Sequence, residues 1–296
     1  MTNSFLTAEN VARTAAAIVG QDLGLAGKVF RDLEADFAAG KGNTVKVRVP
    51  GAVMAQTRSI YDTSTPLVSD EIAEQSIDVA LTDHVYDNVV LSEGDLDLEI
   101  KDYAAQVLRP QATAIVKHIE KAVATAMSAT PEATTIAYDP AAPAKAFTQI
   151  RKALRDNGVP TETPLVAAVG SGVYADLLDG PAGTWDENGK VRGFEIIEST
   201  RLASDEIVGF VKEAFALVVR APRVPDGAPF GASVAQDGFA LRYIRSFDGT
   251  VAADRSLVSA FVGVQSMPLA VDNEDGTISL VANGGAVRVL TSTAVA

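Results

Sequence analysis

The chain has 296 residues, 47% of them hydrophobic and 21% charged, with no cysteine and a formal net charge of −13. That length and balance suit one large folded domain or two modest ones and exclude intrinsic disorder. Without cysteine there are no disulfides, thiolate nucleophiles, zinc–thiolate sites or iron–sulfur clusters.

Aromatic residues make up only 6% of the chain, and small and β-branched side chains suit thin packed layers better than a deep aromatic-lined pocket. Residues 1–20 show no basic segment followed by an apolar run, so no signal peptide is expected. No stretch approaches the ~18 consecutive apolar residues of a membrane span. A soluble chain made in a cytoplasm, without a membrane partner, is the expectation. The acidity also argues against a nucleic-acid grip, which calls for a basic patch. The charge is uneven. Residues 51–100 hold eleven acids (Asp62, Asp70, Glu71, Glu74, Asp78, Asp83, Asp87, Glu93, Asp95, Asp97, Glu99) against the single Arg58. Seven arginines follow between Arg192 and Arg255. The acidic stretch is either a solvated face or an arm that meets an arginine-bearing surface on a neighbouring subunit.

The first forty residues read as helical. Thr7 is placed to cap a helix through Val11, Ala15, Ile18 and Val19, and Val29, Phe30, Leu33 and Phe37 repeat at helical spacing beyond Gly24 and Gly27. At 44–49 the pattern changes to Val45, Val47 and Val49 alternating with Lys46 and Arg48, a half-buried strand. A polar stretch over 55–74 has little periodicity, and β character returns over 76–92. Strand, long excursion, strand reads as a two-stranded arm. Such a hairpin is marginal alone and must lie on something.

Asp95 begins a helical region in which Pro110 ends, kinks or reopens the helix. Ile115, Ile119, Ala122, Val123 and Ala126 form an apolar stripe, with Lys117, Glu120 and Lys121 off it, so a long helix is expected over 110–129. The proline-rich stretch 130–143 marks a boundary. Beyond it come a helix with Phe147, Ile150 and Leu154 closed by Asn157-Gly158, a buried strand at 165–169, and a short helix at 173–178 capped by Ser171. Strands are expected at 195–197, 207–211 and 215–219, then at 232–236, 239–246, 256–264, 278–282 and 286–290. Asp-Gly pairs at 226, 237, 248 and 275 punctuate the later part. The class is α+β.

Catalytic signals are scarce. His84 falls in the acidic arm, where a solvated role is expected. His118 lies beside the helical stripe, where core or interface packing is expected, and no His-Glu-x-x-His spacing surrounds it. Val169-Gly170-Ser171-Gly172-Val173 has the strand-to-helix context of a nucleophile elbow without its spacing, and no histidine is placed to serve it. No phosphate-cradling glycine loop is present. Residues 272–276 lack the ligand spacing of a calcium loop, and Asp95, Asp97 and Glu99 read as acids at a helix start rather than a metal site. No catalytic residue, metal or cofactor is expected.

The order of elements is more telling than any motif. Helical start, strand, long excursion, long helix, α/β lobe and long strands resemble, in that order, the major capsid proteins of tailed bacteriophages. Short matching stretches are Asn3-Ser4-Phe5-Leu6, Gly42-Asn43-Thr44-Val45-Lys46-Val47-Arg48-Val49-Pro50, and Pro110 leading into the long helix. Ala221-Pro222-Arg223-Val224-Pro225-Asp226-Gly227-Ala228 and Gly238-Phe239-Ala240-Leu241-Arg242 complete the set, which runs from Asn3 to about Gly263.

The resemblance implies a discontinuous peripheral domain, an axial domain and an extended β-hairpin loop. It divides the chain into a helical arm (1–43), an extended loop across an adjacent subunit (44–92), a peripheral part with a spine helix (93–135), an axial domain (136–225), peripheral long strands (226–265) and an unmatched β extension (266–296). It implies self-assembly into pentamers and hexamers of a closed icosahedral shell in the virion, with scaffolding, portal and decoration proteins as partners. Some members cross-link through a lysine in the extended loop; none lies between Lys46 and Lys101 here, so non-covalent contacts or a cementing partner must hold the shell. The contacts expected between subunits set Asp70, Glu71 and Glu74, with Arg58 on the same arm, against Arg242 and Arg245 of a neighbour. A bacterial compartment of the same fold, enclosing protein cargo, is the alternative. A surface-array subunit and an unrecognised enzyme fit less well.

Overall fold

The structure, a computed structural model, describes residues 8–21, 24–31, 42–49, 53, 55–67, 69, 71, 72, 74–95, 102–228, 230–236, 239–273 and 276–292. The helical start, with Val11, Ala12, Ala15 and Ala16 buried, is α1 (Ala8–Gln21). Thr7, Leu33 and Phe37 lie outside the described residues, as does the Asn3–Leu6 stretch. The second expected helix is corrected where it can be seen. Residues Leu25–Lys28 form one 3-10 turn, after which Phe30 turns extended and bridges Ala216. Backbone pairing with a strand here overrides a helical spacing of apolar residues.

The alternating valines form β1 (Thr44–Val49), paired antiparallel with β2 (Gln75–Ala80) from Thr44↔Ala80 to Val49↔Gln75. β3 (Asp83–Ser92) leaves this ribbon. It joins a five-stranded sheet with β8 (Phe215–Arg220), β9 (Phe230–Gln236), β10 (Phe239–Asp248) and β11 (Ala253–Ser266). The stretch 44–92 is thus a ribbon plus one strand of the main sheet. β11 has 14 residues and serves two partners along one edge, β3 against 253–262 and β8 against 261–266. β10 runs along its other edge.

Two helices cover this sheet. Ser92 and Asp95 exchange hydrogen bonds as a capping pair, the Asp95 carboxylate accepting from Ser92 N (3.0 Å) and Oγ (2.7 Å). Asp97 and Glu99 lie outside the described residues. A π-helical turn, Ala104–Leu108, leads into α2 (Arg109–Ser128). The wide turn sits immediately before Pro110, which has no N–H to donate and whose ring needs room against the preceding turn. Ile115, Val116, Ile119, Val123 and Met127 are buried, as the stripe predicts. Glu120 is the correction: it is buried with the stripe, not off it. α1 packs on β9 and β10 and against α2.

The second sheet has the order β14-β7-β4-β6-β5, built from β4 (Leu165–Val169), β5 (Lys190–Val191), β6 (Phe194–Glu198), β7 (Glu206–Phe210) and β14 (Ala286–Leu290). Only β4 and β6 run parallel. All five residues of β4 and of β7 are buried, which is why they read as continuous runs rather than alternations. α3 (Ala144–Asp156) packs on β7 and β14 and ends at Asn157, where Gly158 takes φ +99°. α4 (Ser171–Leu178) is preceded by Gly170 as N-cap with no side-chain capping bond, so Ser171 is the first helical residue and not the cap. β12 (Leu269–Asp272) and β13 (Ile278–Val281) form a separate hairpin.

Two strands change allegiance. β8, expected with the α/β lobe, belongs to the main sheet. β14, expected as an addition, is an edge strand of the second sheet through Ala286↔Phe210 to Leu290↔Glu206.

The ribbon is fixed at its root. Val49, Ile77 and Val79 are buried against Ala216, Val218 and Met267, a small core distinct from the main one. Thr82 N donates to Val262 O (3.1 Å) and Leu81 N to Asn43 O (2.8 Å). At this crossing a Cβ on Gly263 would lie 2.1 Å from Ala80 O, a backbone atom with no room to yield. Gly263→Ala is expected to cost about 1–3 kcal/mol as an overpacking substitution. A urea titration measures the loss, and an unchanged midpoint would show that the root yields.

Candidate inter-subunit surface

Beyond its root the arm has little regular structure, and its large apolar side chains face outward. Ile60 and Tyr61 are each 87% exposed, Leu67 78% and Ile72 68%. A run of this kind on an otherwise well-buried chain marks a surface meant to be covered. The tip is nevertheless ordered by its own polar groups. Arg58 Nη1 donates to Thr65 O (2.8 Å), and the Asp62 carboxylate accepts from Ser64 N (2.8 Å), Ser64 Oγ (2.9 Å) and Thr65 N (3.1 Å). Arg58 thus braces its own loop.

Hydrogen bonds from Thr65 and Ser64 hold the Asp62 carboxyl well below the usual carboxylate range. A group depressed on folding contributes fully above its unfolded value of ~3.9 and loses the contribution only as pH falls through the lower folded value. Protease resistance of the tip should therefore hold from neutral pH down to about 4. Asp62→Ala should open the tip at neutral pH, and equal digestion of the two proteins would refute the role.

Glu71 and Glu74 are exposed, and Glu74 lies 3.9 Å from Arg48; Asp70 is outside the described residues. Arg242 and Arg245 stand on β10 and are engaged within the subunit. Arg242 Nε donates to Ser259 Oγ (3.1 Å) and its Nη1 to Arg223 O (2.9 Å). Arg245 Nε donates to Asp254 Oδ2 (2.8 Å), its Nη2 reaches the same oxygen, and its guanidinium lies over the Tyr103 ring. Among the described residues, neither Glu71 nor Glu74 is paired with Arg242 or Arg245 within one subunit.

His84 is exposed, as expected, with its ring against Phe261 and Tyr86. His118 is exposed too, on α2 and 3.8 Å from Asp83, so it is not a core packing residue, one of its two expected roles. Among the described residues no group of three or more His, Asp or Glu is placed to hold a metal ion.

No protein-family model matches the sequence, and no curated protein does. Solved structures do. A chain of the cyanophage A-1(L) capsid asymmetric unit superposes with a TM-score of 0.57 at 13% identity, covering 99% of this chain and 95% of that one. A Mycobacterium phage Che8 chain gives 0.57 at 18% identity, covering 99% and 96%. This chain has the tailed-phage major capsid protein fold. A virus-like particle from Pyrococcus furiosus shares the capsid fold, with a TM-score of 0.51 at 12% identity over 95% of this chain and 98% of that one.

Within the capsid fold, three groups that sequence reasoning missed tie the layers together. The buried Glu120 carboxylate accepts from Gly24, Leu25 and Ala26 N. Gln111 and Ser256 pair α2 to β11, Gln111 Nε2 donating to Ser256 O (2.9 Å) and Ser256 Oγ to Gln111 Oε1 (2.7 Å). Glu206, 2% exposed, accepts from Arg288 Nε. Polar residues amid apolar runs were the only signal for them, and it does not name their partners.

Proposed function

We propose that the chain is the major capsid protein of a tailed bacteriophage, assembling through pentamers and hexamers into the icosahedral shell around the genome. The observation that carries this is the arm: a root buried in its own core and a tip of exposed apolar side chains. A tip of that kind finds its cover on another copy, and many weak contacts of this sort sum to a stable shell. In this reading the main sheet with α2 is the peripheral domain, the second sheet with α3 and α4 is the axial domain, and β1, β2 and the segment between them are the extended loop. Scaffolding, portal and decoration proteins are the further partners.

Asp70, Glu71 and Glu74 are proposed to face arginines of the neighbour, Arg242 and Arg245 among them. Exposed pairs are screened by salt, so assembly should weaken as ionic strength rises. Charge-swap variants at these positions that leave assembly unchanged would remove the electrostatic part. The decisive experiment is expression of the chain alone, then imaging by electron microscopy. Closed regular shells or tubes are expected; a chain that stays monomeric both alone and when co-expressed with a scaffolding protein counts against the proposal.

The shared fold with the virus-like particle supports a second reading, a compartment enclosing protein cargo. A protein that copurifies inside the particles favours it; association with portal and packaging proteins favours the phage capsid.

A further inference from the structure

We infer that a recess at the root of the arm receives an acidic arm of a second copy, with Arg220 as its anchoring cation and Glu71 as the carboxylate it takes. This rests on the shell reading above. The recess, about 440 Å³, is walled by Asn43, Thr82, Asp83, His84, Arg220 and Arg223. Its charges are mostly uncommitted. The Arg220 side chain, half-buried at the end of β8, makes no hydrogen bond or ion pair among the described residues. Among the described residues the Arg223 side chain pairs only with Asp226, with side chains 85% and 90% exposed, the weakest class of ion pair. The wall's one carboxylate, Asp83, faces His118 on α2. Arg242 and Arg245 are poorer partners for a carboxylate because both already donate within the sheet. Arg242 has a different part: its bond to Arg223 O holds the wall that carries Arg223.

The occupant follows from charge and from what lacks a partner. Residues 51–100 carry eleven acids and one arginine. Within that stretch Glu71 is exposed and, like Arg220, makes no hydrogen bond or ion pair among the described residues. Neither group meets the other within one subunit, so the pair closes between copies. Its neighbour Ile72, 68% exposed, would reach the recess beside it and find Phe261 in the wall. A half-buried guanidinium facing a carboxylate that brings apolar cover loses less to solvent screening than two exposed charges do.

The chain has no cysteine of its own, which gives a clean test. A Glu71→Cys chain and a differently sized, tagged Arg220→Cys chain are co-assembled and treated with a short bis-maleimide. A heterodimer band confined to assembled material is expected, absent when either cysteine is omitted. In parallel, Arg220→Glu should abolish shells, Arg220→Gln should raise the concentration needed for assembly by about fivefold, and Arg220→Glu with Glu71→Arg in one chain should restore shells. Shells that form without the heterodimer, and that tolerate Arg220→Glu, overturn this recess while leaving the shell reading intact. A native chain that does not assemble, alone or with a scaffolding protein, overturns both.

Discussion

Arg288→Met is expected to lower the unfolding free energy by about 3–5 kcal/mol, the cost of stranding a buried charge. The charge is Glu206, 2% exposed. Its Oε1 accepts from Arg288 Nε at 2.5 Å, and its Oε2 accepts from Ser128 Oγ at 3.0 Å and from Ala203 N at 3.2 Å. Three places meet here: the last turn of α2, the start of β7 and the middle of β14. The backbone repeats the tie, because Ala133 N donates to Arg288 O at 2.7 Å. Removing the guanidinium leaves two neutral donors to hold a full negative charge away from water, and that loss exceeds anything the methionine regains by packing. Glu206→Gln with Arg288→Met is the informative control. With the charge gone, the amide oxygen still accepts from Ser128 or Ala203, and most of the stability should return, since neutral replacements of buried pairs are often close to harmless. Guanidinium chloride titrations of the three proteins give the comparison through their midpoints at constant slope. A single variant within about 1 kcal/mol of the native chain would mean that water reaches Glu206. The same variant probes assembly, because this cluster sets where α2 ends relative to the second sheet.

What the sequence made legible was local. The strands at 44–49, 165–169 and 286–290 lie where alternation or a short apolar run placed them. α3 ends where Asn157-Gly158 predicts, because a left-handed φ there suits glycine. Pairing was not legible. Nothing in the period of β3, β8 or β14 says which sheet each will join, since alternation reports a buried face and not a hydrogen-bonding neighbour. Phe30 shows the same limit: helical spacing with Val29 gave way to backbone bonds with Phe215 and Leu217. At the candidate surface, charge counting found the acidic arm and the arginine-bearing region, both real features of the fold. It could not see that Arg245 would be answered by Asp254 across a hairpin while the Arg220 side chain finds no partner among the described residues. That distinction depends on register, which appears only when the strands are paired.

Glu120→Ala should cost about 3 kcal/mol or more, from a residue whose place on a helix looks like an exposed one. Its carboxylate accepts three successive backbone N–H groups, Gly24 at 2.8 Å, Leu25 at 3.0 Å and Ala26 at 3.1 Å. Consecutive N–H groups converging in a turn make an anion-binding concavity, and here α2 supplies the anion from within the chain. Alanine leaves Leu25 and Ala26, both buried, with N–H groups that no water readily reaches, at about 1–3 kcal/mol for each orphaned donor. Glutamine is the sharper probe. It is nearly isosteric, but one oxygen becomes an NH2 that points donor at donor, so it should recover only part of the loss. Hydrogen exchange resolves the cause. In both variants the Leu25 and Ala26 amides should lose protection ahead of the β10 and β11 amides, as the 3-10 turn detaches before the sheet opens. Uniform loss across the chain would make Glu120 a general packing residue instead. Early local loss would place at Glu120 the joint through which the N-terminal segment is fastened to the helix that backs the main sheet.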